Sequence, residues 1–213
     1  MSLPGPVLLL RLGGAVLASM VFGLVAAMAF QPWSFWVAVS LGFLFGTAFM
    51  VGTGYRILIA VARNRVEPSP VSWSGATAAT ALFALLLGGA AAWQSLEVSY
   101  VWLAFGLGIN CAYLPIKTAC LKVGCCRAVR PFVLKDLRLG EIVLSIAVIS
   151  LAIALSLAGL QRLGAGVVIG GHLAIRLLSR HLRGRWSWGW PPFTQPGAEL
   201  APLAVLILVV PLT

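Results

Sequence analysis

Residues 113–131 read YLPIKTACLKVGCCRAVRP, a basic and cysteine-containing stretch that lies between long apolar segments. The whole chain of 213 residues is 61% hydrophobic and only 9% charged, with a mean hydropathy of +1.01. Soluble globular proteins do not have this composition. Because charged side chains are costly inside a membrane unless they meet a counter-ion, water or a ligand, the cations of this stretch predict a binding site.

The apolar segments are long enough to cross a membrane, because a helix needs roughly 20 residues to span a hydrocarbon core of about 30 Å. We predict an all-α, polytopic membrane protein with about seven transmembrane helices in a single integral domain, residues 1–213. The predicted spans cover residues 6–30, 33–61, 71–92, 98–115, 140–159, 164–185 and 200–210. The first span is too long for the apolar region of a signal peptide, so we expect it to be retained.

Two of the predicted spans contain residues that disturb helices. Pro115 lacks a backbone donor and is expected to end or kink the fourth span. The backbone around Lys117 and Cys120 would then be irregular and would line a cavity. Gly52 and Gly54 are expected to interrupt the second span near its end. The sequence therefore predicts that the fourth span stops short of the basic stretch.

The net charge of +10 would suggest nucleic acid as the partner of a soluble protein. Here the cations lie at the ends of the predicted spans, so we predict anionic phospholipid and no nucleic acid. With seven spans, all of the 15 lysines and arginines except Arg162 map to one face of the membrane. The positive-inside rule assigns that face to the cytoplasm.

Lys117 and Arg176 are the first candidates for binding a phosphate, Lys117 as a point charge and Arg176 through a bidentate guanidinium. Arg180 follows Arg176 by one helical turn, and the two would repel each other unless an anion lay between them. That anion could be a lipid phosphate or Glu141. Four basic or titratable residues share this helix face: His172, Arg176, Arg180 and Arg183. The alternative is that these cations extend to the membrane surface and meet only water.

Glu141 and His172 are the other two candidate catalytic residues. An acid inside a span usually pairs with a cation or takes part in function, but Glu141 would also complement the helix dipole near an N-terminus. His172 could act as a general base near neutral pH or be a hydrogen-bonded structural residue.

The chain has four cysteines, at positions 111, 120, 125 and 126. Adjacent Cys125 and Cys126 cannot easily pair with each other, and no second Cys-x-x-Cys or histidine cluster completes a zinc site. We therefore predict neither a metal nor a cofactor. The cysteines either pack as small hydrophobic residues or give the protein a thiol redox or metal function.

The segment Lys117-Thr-Ala-Cys120-Leu-Lys-Val-Gly124-Cys125-Cys126 resembles the signature of the prolipoprotein diacylglyceryl transferase family, in its Gly-Cys-Cys variant. Two further segments resemble the family in the same order along the chain. Residues 137–144, which end in Glu141-Ile-Val-Leu, resemble its Leu-Tyr-Glu stretch, and residues 164–184 resemble its Arg-Phe and terminal Arg pattern. The resemblance covers most of the chain from Tyr113 onward and implies the family's seven-span fold.

The resemblance implies that a diacylglyceryl group moves from phosphatidylglycerol to the thiol of a lipoprotein-precursor cysteine, in the bacterial cytoplasmic (inner) membrane. It places Lys117 and Arg176 at the phosphate and Glu141 at the matching acid. Activation of the thiol would fall to the substrate thiol itself, to His172 or to nothing. The remaining headgroup-binding candidates are Arg127, Arg180 and Arg183. The residues expected to shape the site are Cys120, Gly124, Cys125 and Cys126.

The chain also departs from the family pattern. Trp73-Ser74-Gly75-Ala76 lies where the family has a His-Gly-Gly element, and Arg180 and His172 replace a family acid and tyrosine. The family's functional loops face outward, which is opposite to the orientation that the positive-inside rule predicts. Three functions remain open: a lipid transferase, a noncatalytic lipid-binding or scaffold subunit of a membrane-protein complex, and a thiol redox or metal protein.

Overall fold

The computed structural model describes residues 5–30, 34–62, 73–123, 136–182 and 197–210, and within these ranges every regular element is a helix. A 3₁₀ helix, Ala27–Ala29, directly continues the first α-helix. The α-helices are α1 (Gly5–Ala26), α2 (Phe35–Ala62), α3 (Trp73–Trp93), α4 (Ser99–Val123), α5 (Leu137–Leu157), α6 (Gln161–Leu182) and α7 (Gly197–Val209). The predicted all-α class is therefore confirmed for the described part of the chain.

Six of these helices, α1 to α6, are long and apolar enough to cross a membrane. The chain is therefore an α-helical integral membrane protein. Helix α7 has 13 residues, which at 1.5 Å per residue makes it about 20 Å long, less than the hydrocarbon core of about 30 Å. The seventh span stays a prediction.

Helix α4 lies at the centre of the bundle and packs against α1, α3, α5 and α6. Its span is 72% buried, whereas that of α5 is 22% buried. Gly106 lets α6 approach closely, because a Cβ at this position would lie 2.1 Å from a methyl carbon of Val168. Trp102 and Phe105 fill the core beside it. The central position of α4 brings its polar residues into contact with neighbouring helices instead of lipid.

The prediction that Pro115 ends the fourth span is wrong, because α4 continues through Pro115 to Val123. Lys117 and Cys120 therefore lie on a regular helix and not on an irregular segment. A proline inside a helix removes one donor, here the one that would bond the carbonyl of Cys111, and membrane helices tolerate this loss when neighbours pack around it. Helix α1 packs at this turn, where a Cβ at Gly14 would lie 3.3 Å from the Pro115 ring.

The predicted interruption of the second span is also wrong, since α2 runs unbroken to Ala62. Gly52 serves close packing there, because a Cβ on it would lie 2.2 Å from the Gly75 carbonyl oxygen of α3. The predicted fifth and sixth spans leave residues 160–163, including Arg162, as a turn between them, but the structure shortens this turn. Helix α6 begins at Gln161, so Arg162 lies in its first turn.

An apolar groove of about 730 Å³ lies between α1 and α2. Its polar lining residues are Ser19 and Thr47, and both hydroxyls donate to carbonyls of their own helices, at 2.8 and 2.9 Å. The groove therefore presents hydrocarbon and no directed polar group, which suits contact with lipid chains but not chemistry.

Candidate functional site

Tyr113 lies at the centre of a charged cluster that α4, α5 and α6 build together. The cluster consists of Tyr113, Lys117, Glu141, Arg176 and Ser179. The Tyr113 hydroxyl donates to Glu141 Oε1 at 2.8 Å and accepts from Arg176 Nη1 at 3.0 Å. Lys117 Nζ lies 4.8 Å and Arg176 Cζ 5.3 Å from the centre of the Tyr113 ring, within the range of cation–π contacts. One tyrosine thus contacts both cations that the sequence singles out for phosphate binding.

Glu141 is the acceptor that holds the charged cluster together. Its Oε2 pairs with Lys117 Nζ at 2.8 Å, and the exposed fractions of the two side chains are 2% and 5%. Its Oε1 accepts hydrogen bonds from Tyr113 and from the Ser179 hydroxyl. An ionised carboxylate accepts without donating, which fits this set of donors. Because both carboxylate oxygens are engaged, the surrounding side chains fix the position of Glu141.

The charged cluster contains two cations and one carboxylate, so it carries a formal charge of about +1 when all three are ionised. It lies near one end of the bundle, where α4 ends, α5 begins and α6 ends. Lys117, Glu141 and Arg176 lie about 6–9 Å from those helix ends at 1.5 Å per residue. These charged side chains are therefore buried, yet close to the end of the bundle.

Asn110 and His172 form a second polar contact next to the charged cluster, and both are fully buried. Asn110 Nδ2 donates to the carbonyls of Gly106 and Val168, at 2.9 and 3.3 Å, which directs Oδ1 toward His172 Nδ1 at 3.1 Å. Because an amide oxygen only accepts, Nδ1 carries a hydrogen, and Nε2 of the neutral ring is then the basic nitrogen.

The His172 ring also meets the Tyr113 ring edge to face, with ring centres 5.2 Å apart and an angle of 81° between the planes. Edge-to-face packing at this distance is favourable for aromatic rings. Tyr113 therefore connects the Asn110–His172 contact to Glu141 and Arg176.

A second ion pair, between Arg138 and Asp136, lies at the start of α5. Asp136 is the N-cap of this helix, and its Oδ1 accepts from the Arg138 backbone amide at 2.9 Å and from Arg138 Nε at 2.8 Å. Arg138 Nη1 also donates to the Cys120 carbonyl at 3.0 Å. This contact attaches the first turn of α5 to the last turns of α4.

The structure brings together three of the predicted catalytic residues, Lys117, Glu141 and Arg176, and places His172 beside them through Tyr113. Glu141 lies beyond the first turn of α5, whose N-terminus Asp136 caps instead. The acid at the N-terminus of α5 is thus Asp136 and not Glu141. Arg180 is half-buried one turn after Arg176, and Cys120 is buried. The remaining predicted residues lie outside the described residues: Gly124, Cys125, Cys126, Arg127 and Arg183.

The structure describes two of the four cysteines, Cys111 and Cys120. They lie on the same helix about 13 Å apart along its axis, too far to form a disulfide with each other. In the part of the chain that the structure describes, no group of three His, Cys, Asp or Glu side chains could hold a metal ion.

Three residues of this region are absent from the sequence-based candidates: Asn110, Tyr113 and Ser179. A signal for the first two was present, since Asn110, Tyr113 and Lys117 are three and four residues apart and so share a helix face. Ser179 lies three residues after Arg176. The helix-face spacing points to Arg180, one turn after Arg176, whereas the hydroxyl of Ser179 donates to Glu141 in the structure.

Comparisons of the chain with protein-family models, curated proteins and solved structures found no match. The class that the fold and the site define is a helical membrane protein with a buried charged cluster near one end of its bundle.

Proposed function

We propose that the charged cluster binds the phosphate of an anionic phospholipid, phosphatidylglycerol, and that the protein is a diacylglyceryl transferase-like enzyme of the bacterial inner membrane. The acceptor would be a thiol such as the cysteine of a lipoprotein precursor. The observation that carries the proposal is the convergence of buried Lys117 and Arg176, from two helices, on Tyr113.

A phosphate is the ligand that best fits this arrangement. Buried cations are costly in a membrane, and contact with an anion offsets that cost. Lysine offers a point charge and arginine a planar fork, and both bind phosphate oxygens strongly. A position about 6–9 Å from the helix ends would place a lipid headgroup at the charged cluster while its acyl chains extend along the apolar helices.

The proposed reaction is a displacement at the glycerol carbon that carries the phosphate. The acceptor sulfur forms a bond to this carbon as the carbon–oxygen bond to phosphate breaks, and the electron pair of that bond leaves with glycerol phosphate. The thiol proton passes to a base, for which His172 Nε2 is the candidate. Lys117 and Arg176 would stabilise the charge that develops on the departing phosphate.

A noncatalytic lipid-binding subunit is the second candidate function. Lys117 already has an internal partner in Glu141, 2.8 Å away, and His172 is fully buried beside Asn110. Both observations suit a site that holds a headgroup without exposing a base to a second substrate.

One experiment separates these functions. The purified protein is incubated with labelled phosphatidylglycerol and a peptide that carries a lipobox cysteine, and labelled thioether product and released glycerol phosphate are measured. We expect turnover that falls by about 100-fold in Lys117→Ala and Arg176→Ala, as when one donor to a developing oxyanion is removed. Lys122→Ala is the matched control, because Lys122 is exposed near the end of the same helix.

Phosphatidylglycerol binding without product would support the lipid-binding subunit and contradict the transferase. Binding that is unchanged in folded Lys117→Ala and Arg176→Ala would contradict both, since neither cation would then contact the headgroup.

A further inference from the structure

We propose that Ser145 donates a hydrogen bond to an ester carbonyl of the bound phospholipid and so positions its glycerol backbone. This inference rests on the proposed headgroup site and adds a positioning and specificity-determining residue to it. Ser145 lies on α5, one turn after Glu141, and is fully buried. Among the residues that the structure describes, its hydroxyl has no hydrogen-bond partner. A buried hydroxyl without a partner is costly, so this position favours a ligand that accepts a hydrogen bond.

Other hydroxyls inside the described helices have a partner that Ser145 lacks. Ser156 on the same helix donates to the Ala152 carbonyl at 2.7 Å, and hydroxyls on α1, α2, α3 and α4 bond their own helices in the same way. Each uses the carbonyl four residues earlier, a common partner of serine and threonine in helices. For Ser145 this would be the carbonyl of Glu141, which it does not bond.

Packing contacts on both sides place Ser145 opposite the polar part of α6. One turn earlier on α5, Glu141 accepts from Ser179. One turn later, Val148 packs on Gly171, where a Cβ would lie 2.6 Å from a Val148 methyl carbon. Ser145 shares this helix face, because the spacing is four and three residues. It therefore lies opposite the stretch of α6 that supplies the arginine and the histidine of the proposed site.

The depth of Ser145 matches that of an ester group below a bound phosphate. Four residues along a helix advance about 6 Å, so Ser145 lies that much deeper in the bundle than Glu141, the partner of Lys117. The headgroup region of each leaflet is about 5–8 Å thick, and the ester carbonyls lie at its inner edge. A phospholipid whose phosphate meets Lys117 would thus bring an ester carbonyl to the depth of Ser145.

Lipid approaches Ser145 along α5 itself. This helix is the least buried of the six spans, and Leu144 and Ile146, the neighbours of Ser145 in the chain, are exposed on its surface. Ser145 has no exposed surface, so contact with a carbonyl requires a small outward movement of α5. In the proposed reaction one ester is attached to the carbon next to the one that the thiol attacks. Fixing that ester would fix the reacting carbon, which accelerates a displacement.

The test compares dioleoyl phosphatidylglycerol with its dioleyl ether analogue, which has the same headgroup but no ester carbonyls. Each is titrated into the purified, detergent-solubilised protein, and bound lipid is measured by native mass spectrometry. We expect the unaltered protein to prefer the ester lipid by about 2- to 10-fold, the effect of one hydrogen bond. Ser145→Ala should lose this preference. Ser156→Ala is the matched control and should keep it, since Ser156 bonds its own helix.

Thermal unfolding without added lipid separates a ligand contact from a structural one. Ser145→Ala removes a buried hydroxyl that lacks a partner in the described helices, so its melting temperature should be unchanged or higher. A lower melting temperature would show that the hydroxyl already bonds the protein and would contradict the inference. Ser145→Cys is the second variant, because a thiol is only a weak donor. It should reduce the preference for the ester lipid in the same direction.

The outcomes also separate this inference from the proposed function. If binding requires Lys117 and Arg176 but the ester preference is unchanged in both Ser145 variants, the ester contact is wrong and the headgroup site stands. If neither lipid depends on Lys117 or Arg176, the headgroup site itself is wrong. An unchanged lipid ratio with weaker binding of the lipobox peptide in Ser145→Ala would make a peptide carbonyl the acceptor, which also contradicts the ester contact.

Discussion

The two ion pairs near one end of the bundle, Lys117–Glu141 and Arg138–Asp136, have the same chemistry but different settings. Lys117 and Glu141 lie on different helices and are 5% and 2% exposed. Arg138 and Asp136 are neighbours at the start of one helix, and the Asp136 side chain is 32% exposed. The first pair belongs to a network of buried donors around Tyr113, whereas the second caps α5 and bonds a carbonyl of α4.

This comparison shows that the cost of an ion pair depends on its surroundings. Arg138 is only 7% exposed, but its partner Asp136 is 32% exposed and two residues away, so this local pair loses less hydration and suits helix capping. A buried pair between helices loses its hydration, and replacing such a pair with apolar residues is often neutral or stabilising. The retention of charge at Lys117 and Glu141 therefore favours a role in binding over a role in stability.

The largest effect is expected when one partner of the buried pair is removed. Glu141→Ala should lower the free energy of unfolding by about 3–5 kcal/mol, because Lys117 loses its carboxylate while still buried. Denaturant unfolding in detergent micelles measures this. The double variant Lys117→Met/Glu141→Met should recover most of the loss. A double variant as unstable as the single one would show that the pair itself stabilises the fold.

A smaller effect is expected from removing the hydroxyl that joins Glu141 to Arg176. Tyr113→Phe should cost about 1–3 kcal/mol of stability, the cost of leaving buried hydrogen-bonding groups without a partner. The ring and its cation–π contacts stay, so both cations should remain near it. Thermal unfolding and phosphatidylglycerol affinity check this, with Tyr100→Phe on the same helix as control. Equal effects of the two substitutions would contradict a special role of Tyr113.

The smallest effect is expected at the second ion pair. Asp136→Ala should destabilise the start of α5 by about 0.5–2 kcal/mol, the usual cost of losing an N-cap. Hydrogen exchange of the first-turn amides of α5 reports this directly. We expect little change in phosphatidylglycerol affinity, since Asp136 lies outside the charged cluster. A large loss of affinity would mean that the two pairs are not independent.

Much of the fold could be predicted from the sequence, because a membrane span is a run of consecutive apolar residues and can be found without any tertiary contact. The predicted spans match α1 to α6 to within a few residues at most ends. The predicted ends are wrong where tertiary packing overrides the local preference of a residue. Pro115 disfavours a helix by itself, but α1 packs against that turn and α4 continues to Val123.

The candidate site could be predicted less completely. The four-residue spacing of Tyr113 and Lys117 places them on one helix face, and the same holds for His172 and Arg176. Their partners could not be deduced in this way. From the sequence, Glu141 could pair with Arg176 and Arg180, carry a function or complement the helix dipole, whereas the structure pairs it with Lys117.

By itself, the sequence determined that this is a helical membrane protein with its cations near the ends of apolar spans, since composition and helical spacing are properties of each segment alone. Only the tertiary structure decided that Tyr113 joins Lys117, Glu141 and Arg176 while Asp136 and Arg138 cap a helix. Those contacts depend on how α4, α5 and α6 are rotated against one another. The approach of α6 to α4 depends on close packing at Gly106, two helical turns before Tyr113.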